Sequence, residues 1–95
     1  MLYALYCRDA EGAAGVRAAN REAHLAYARG SACIRMAGPL LADDGETMIG
    51  SLFVIEAPDR AAVDRFSAAD PYVRAGLFER VEVHPFRWLL GDGPP

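Results

Sequence analysis

The segment Asp43-Asp44-Gly45-Glu46, set between the apolar runs Cys33 to Leu41 and Met48 to Ala57, constrains the fold of this chain more than any other stretch. Asp-Gly supplies the positive φ angles that a tight hairpin turn needs, so the two runs are expected to pair as antiparallel strands. Gly38-Pro39 inside the first run removes a backbone donor, which places that strand at a sheet edge or interrupts its pairing. The second run is apolar at both alternating sets of positions. Ile49, Phe53 and Ile55 fall on one side and Met48, Leu52 and Val54 on the other, so both faces of its sheet need cover.

The flanking segments complete a pattern. Residues 2 to 8 are apolar and aromatic-rich and read as a first strand, followed by small and turn-forming residues from Asp9 to Gly15. A helix is expected from about Ala13 to Gly30, with Val16, Ala19, Ala23, Ala26 and Tyr27 on its apolar side and Gly30 as its stop. Asp59 reads as the N-cap of a second helix reaching about Ala69, with Ala62, Val63, Phe66 and Ala69 inward. Pro71 disfavours helical geometry at Asp70 and ends it. A turn or one-turn helix over Tyr72 to Ala75 leads into a long last strand, Leu77 to Leu90, carrying Val81, Val83, Phe86 and Trp88. Gly91 to Pro95 is expected to be loose.

Strand, helix, hairpin, helix, strand is the βαββαβ order of the ferredoxin-like α+β fold, an antiparallel four-stranded sheet with two helices on one face. The other face is left bare, and a second copy is its simplest cover, so a homodimer packed sheet on sheet is expected. An apolar content of 53% in a chain this short argues the same way. In this topology strands 1 and 2 run parallel with strand 3 between them. Cys7 and Cys33 then sit near opposite ends of the sheet, and no disulfide is expected.

Length and charge narrow the function classes. With 95 residues there is room for one domain, spanning residues 1–95. The net charge is −3 and the basic residues are scattered arginines, so nucleic acid is not an expected partner. Met1 to Tyr6 has no basic leader, and Cys7-Arg8-Asp9 interrupts the apolar run before a signal peptide or membrane span is complete. The expectation is a cytoplasmic protein that does not enter a membrane. The two cysteines and two histidines lack zinc-site spacing, and no Gly-rich phosphate loop or nucleophile elbow occurs, so neither a metal nor an organic cofactor is expected.

One stripe carries candidate chemistry. Arg17, Arg21, His24 and Ala28 recur at helical spacing and share one side of the first helix. Such a stripe either faces water or holds an anion and moves a proton, since free imidazole titrates near pH 6.5. Arg17 is expected at the surface, and Arg21, one turn from His24, is the better substrate-binding candidate. Ser51 and Tyr72 offer hydroxyls, and Gly38-Pro39 lets backbone approach a ligand. Asp70 before Pro71 also reads as the cap of the short turn that follows.

Taken together, Arg21-Glu22-Ala23-His24-Leu25, Ala37-Gly38-Pro39, Gly50-Ser51, Asp70-Pro71-Tyr72 with Ala75-Gly76-Leu77-Phe78, and Val81 to Phe86 resemble the YCII-related (YciI-like) family, whose fold is the dimeric α/β barrel. The resemblance spans nearly the whole chain. It implies a homodimer and an active site in which His24 works with Asp70, and it implies no particular substrate. Relatives in the wider superfamily isomerise, eliminate from or oxidise small cyclic compounds. The expected function is a cofactor-independent lyase or isomerase that uses His24 and Asp70 for proton abstraction from a small anionic or hydroxylated cyclic substrate. The alternative is a homodimeric small-molecule-binding or accessory protein without catalysis.

Overall fold

In the computed structural model, residues 1–93 are described. The elements are β1 (Leu2–Asp9), α1 (Ala14–Arg29), β2 (Ile34–Leu41), β3 (Met48–Glu56), α2 (Arg60–Ala69), α3 (Pro71–Arg74) and β4 (Phe78–Phe86). The strands form one antiparallel sheet in the order β2-β3-β1-β4, and this is the ferredoxin-like βαββαβ fold.

Local chemistry explains where the elements begin and end. At the hairpin, Gly45 takes the left-handed conformation at φ 73°. The Asp44 carboxylate accepts from the backbone N–H groups of Glu46 and Thr47 at 2.8 and 2.9 Å and from the Thr47 hydroxyl. Those bonds, the Thr47 hydroxyl's first, hold its carboxyl down at about 2. Asp59 caps α2 by accepting from the Ala62 N–H at 2.9 Å. Asp70 closes α2 in an extended conformation and caps α3, its carboxylate accepting from the Tyr72 N–H, with Pro71 in the first helical position. Gly30 closes α1 with ordinary right-handed angles rather than the left-handed turn glycine permits.

The last strand is shorter than the apolar pattern predicts. Its ladder with β1 ends at Leu2↔Phe86, where β1 itself ends, so Arg87 to Leu90 have no neighbouring strand to bond. Trp88 is half-buried instead. Gly91 and Gly93 lie against its indole, where a β-carbon on Gly93 would collide with the ring. These two glycines are therefore packed where a loose tail is expected, and residues 94–95 lie outside the described residues.

Both helices cover the sheet face that carries Tyr3, Leu5 and Cys7 of β1 and Phe53 and Ile55 of β3, and Val63 of α2 completes this core. Cys7 and Cys33 are free thiols. Cys7 lies opposite Ser51, whereas the Cys33 carbonyl accepts from the Glu56 N–H at the other end of β3.

α1 departs from its predicted orientation. Ala19, Ala23 and Ala26 are exposed, while Arg17 and His24 are buried with Val16 and Tyr27 partly buried beside them. In α2, Ala62, Val63 and Phe66 turn inward as expected, and Ala69 is exposed because the chain leaves the sheet at Asp70. On β3 the simple alternation fails at the hairpin end. The β2–β3 register shifts between Leu40 and Leu41, and Met48 lies with Ser51 and Phe53 rather than with Leu52 and Val54. On the opposite sheet face Tyr6, Met36 and Phe86 are exposed. No described helix is long and apolar enough to cross a membrane.

Candidate active site

Side-chain alternation along β1 places Tyr3, Leu5, Cys7 and Asp9 on the helix side of the sheet. A carboxylate there needs a buried partner, and Arg17, in the first turns of α1, provides it. Its Nε and Nη2 donate to the two Asp9 oxygens at 2.7 and 2.9 Å, a bidentate pair. Nη2 also donates to the Gly50 carbonyl at 2.9 Å and the Ser51 hydroxyl at 3.0 Å. Burial works against the cation, but the hydrogen bond and charge of Asp9 outweigh it, and the guanidinium is held above its ordinary value. Arg17 is 6% exposed, so the surface role expected for it is wrong. The physical reason is Asp9, a countercharge already fixed on the inner face.

Gly50 is required at its position. A β-carbon there would strike the Cys7 carbonyl of the neighbouring strand. Cys7 itself is buried beside Asp70 and Asp9, and burial first, then those carboxylates, push its thiol up to about 12.

Two turns beyond Arg17, His24 Nδ1 lies 2.8 Å from Asp70 Oδ1. A carboxylate accepts, so Nδ1 carries the hydrogen and Nε2 is left as the acceptor of the neutral ring. Asp70 reaches α1 because the chain folds back after α2. Ala10 N donates to the Leu77 carbonyl at 2.7 Å and Leu77 N to the Tyr72 carbonyl at 3.1 Å, which pins α3 against the end of β1. Tyr27, a turn further along α1, donates its hydroxyl to the Phe66 carbonyl at 2.7 Å. The Asp70 carboxylate therefore accepts from the α3 cap N–H and meets the imidazole at once.

Tyr72 fixes the ring from another side. Its phenol stacks on His24 with centroids 3.9 Å apart and planes 12° apart, and the Arg17 guanidinium carbon is 4.8 Å from the same ring centroid. Phe53 meets His24 edge-on at 6.0 Å. Burial raises the Tyr72 phenol, with Arg17 and Arg21 pulling the other way.

These side chains line a cavity of about 180 Å³ between α1 and the sheet. Arg21, His24, Ser51 and Tyr72 reach it from α1, β3 and α3, and Gly38 and Pro39 close it from β2. Of the predicted site residues, Asp70 alone stands behind the wall, bonded to His24. Arg21 is exposed at the cavity and makes no hydrogen bond or ion pair among the described residues. The Ser51 hydroxyl is engaged by Arg17. Arg17, for which the surface was the preferred expectation over an anion clamp, also lines the cavity, as do Met48 and Phe53, which no motif pointed to. The signal for Arg17 was the inward parity of Asp9 in β1.

The YCII-related domain model matches residues 1–87. The chain belongs to the YCII-related family. The resemblance drawn from its motifs thus holds, and family members share most of its length. Protein YciI of Escherichia coli O6:H1 is 34% identical, over 92% of this chain and 97% of that one. Among solved structures, 5-chloro-2-hydroxyhydroquinone dehydrochlorinase (TftG) from Burkholderia phenoliruptrix AC1100, in complex with 2,5-dihydroxybenzoquinone, is 38% identical and covers 96% of each chain with a TM-score of 0.83. An antibiotic biosynthesis monooxygenase is similar over 100% of each chain at 18% identity and a TM-score of 0.53, a likeness of fold alone. The βαββαβ architecture of this chain is shared with these structures.

Proposed function

We propose that this protein is a small-molecule enzyme that moves protons on one hydroxylated six-membered ring and so eliminates from it or isomerises it. The observation that carries this reading is the His24–Asp70 pair, whose Nδ1 is held by a buried carboxylate while the residue lines a cavity. Its volume suits the substrate. A cavity of about 150 Å³ accommodates benzene, and 180 Å³ suits a ring with a few substituents. Similarity to a dehydrochlorinase solved with a hydroxylated quinone supports the same substrate class.

The chemistry follows from the donor set. Neutral His24 takes a proton from a ring hydroxyl, and Asp70 stabilises the imidazolium that forms. The cationic side of the cavity, Arg17 and Arg21, favours the ring anion. Returning that proton to a halogen-bearing ring carbon makes the carbon tetrahedral. The halide then leaves with the carbon–halogen pair as a second hydroxyl proton is lost, and the net change is loss of hydrogen halide and formation of a quinone. Without a halide the same proton transfer is an isomerisation. Gly38 and Pro39 shape the substrate-facing wall, Ser51 steadies Arg17, and Tyr72 holds the imidazole plane.

The test is chloride release and quinone absorbance with 5-chloro-2-hydroxyhydroquinone, alongside unhalogenated hydroxyquinols. Turnover is expected in the wild type and should fall by about 100-fold or more in His24→Gln and Asp70→Asn. Absence of turnover across the panel, with ring ligands still bound by His24→Gln, would instead establish a binding protein.

The exposed Tyr6, Met36 and Phe86 favour a homodimer closed through the open sheet face. Light scattering should give twice the chain mass, and Tyr6→Lys should halve it. A monomeric wild type overturns that assembly.

A further inference from the structure

The cavity changes character along its length. Arg17, Arg21, Leu25 and Ala28 line it from α1 at helical spacing, so it follows that helix from Arg17 to Ala28, about 16 Å at a rise of about 1.5 Å per residue. The strands fix what lies level with each turn. Arg17 donates to the Ser51 hydroxyl, and Ser51 pairs with Pro39 across β2 and β3. Further along, His24 meets Phe53 edge-on, and Phe53 pairs with Ala37. The polar side chains of the lining are Arg17, Arg21, His24, Ser51 and Tyr72, and Tyr72 sits between the first and third of these, in contact with Arg17 and stacked on His24. Past His24 the lining is hydrocarbon, with Leu25 and Ala28 from α1, Ala37 from β2 and the Phe53 ring from β3. The polar neighbours of that stretch are directed elsewhere. Tyr27 donates its hydroxyl to the Phe66 carbonyl, and Arg29 is exposed and lies outside the lining.

We infer that the stretch past His24 is a subsite for an alkyl substituent on the ring. The inference rests on the proposed function and deepens it, because it names the substrate class as hydroxylated rings or quinones that carry hydrocarbon on the edge away from the oxygens His24 addresses. A bound water needs two to four polar partners, and the side chains here offer none. A polar substituent would lose its hydration without gaining a hydrogen bond. Hydrocarbon placed there leaves water together with the apolar walls, which is worth about fourfold in affinity for each buried methylene. Ala28 and Ala37 set the room on two different walls, since each ends at its β-carbon. The cavity of about 180 Å³ holds one ring, and Ala37 is exposed on β2, so the apolar end is open and a chain longer than the cavity runs out past β2.

The probes are 2,5-dihydroxybenzoquinone and its 3-methyl, 3-ethyl and 3-propyl derivatives, with the 3-hydroxymethyl compound as a polar match for ethyl. Calorimetry on the wild type should show affinity rising about fourfold per carbon along the alkyl series, with the hydroxymethyl compound at least about tenfold weaker than ethyl. Ala28→Leu and Ala37→Leu each fill one wall and should each cut the propyl-to-parent affinity ratio at least about tenfold. Because the two positions lie on different elements, a folding defect in one variant leaves the other to decide. A flat alkyl series in the wild type, or a ratio unchanged in both variants, overturns the subsite, and turnover of unsubstituted hydroxyquinols by the same wild type shows that the proton-transfer reading stands without it. A wild type that binds no member of the series and turns over no hydroxylated ring overturns that reading and the subsite together.

Discussion

The helices α1 and α2 cover the same face of the same sheet by opposite means. α2 follows the ordinary rule, with Asp59 at its N-cap, Val63 buried and charged residues outward. α1 has no side-chain cap, turns Ala19, Ala23 and Ala26 to solvent and buries Arg17 and His24. Burying a cation and an imidazole is favourable only where countercharges already wait, and Asp9 and Asp70 are both within 3 Å of them. The contrast separates a helix whose inner face builds core from one whose inner face builds a site.

Substitutions on the two helices should expose that contrast. The largest effect is expected from Asp9→Ala, which strands a buried Arg17 and should cost about 3–5 kcal/mol in urea unfolding. Val63→Ala in α2 removes two buried methyl groups and should cost about 2 kcal/mol by the same measurement. A thermal scan against pH tests Cys7 beneath α1. Its thiol is raised to about 12 in the folded chain from an ordinary value of 9.0. Its contribution to stability is therefore complete below pH 9.0 and is lost as pH rises towards about 12, because the unfolded thiol ionises first. Cys7→Ala should flatten that alkaline loss. Smallest of all, Ala23→Glu places a charge on the side of α1 that its alanines make look apolar, and should change stability by no more than about 0.5 kcal/mol. A loss of several kcal/mol there would restore the apolar-stripe orientation.

The parts legible in the sequence are those decided by neighbours in the chain. The Asp44–Gly45 turn, the Asp59 cap and the Asp70–Pro71 break each act within about four residues, and each lies where its chemistry predicts. The orientation of α1 is decided elsewhere. Alanine gains little by burial, so the alanine stripe is a weak guide, and the choice falls to bonds from Arg17 to Gly50 and Ser51 and from His24 to Asp70, 33, 34 and 46 residues away in sequence. His24 with Asp70 was readable only through the family motifs, because no local spacing connects them. Asp9 offered a physical clue in its inward parity with Leu5 and Cys7. The end of β4 was unreadable from its own residues because the length of β1 sets it.

Strand β2 is paired on one side only, yet it supplies Ala37, Gly38 and Pro39 to the cavity. The catalytic candidates sit on α1 and on the turn after α2, so that wall of the cavity belongs to a different piece of chain from the His24–Asp70 pair. Under the proposed function, Ala37 of β2 and Met48 of β3, which both line the cavity, are the places where substrate range can drift by mutation with the Asp9–Arg17 and His24–Asp70 bonds intact. On the same reading, one proton-transfer centre can thereby serve different rings.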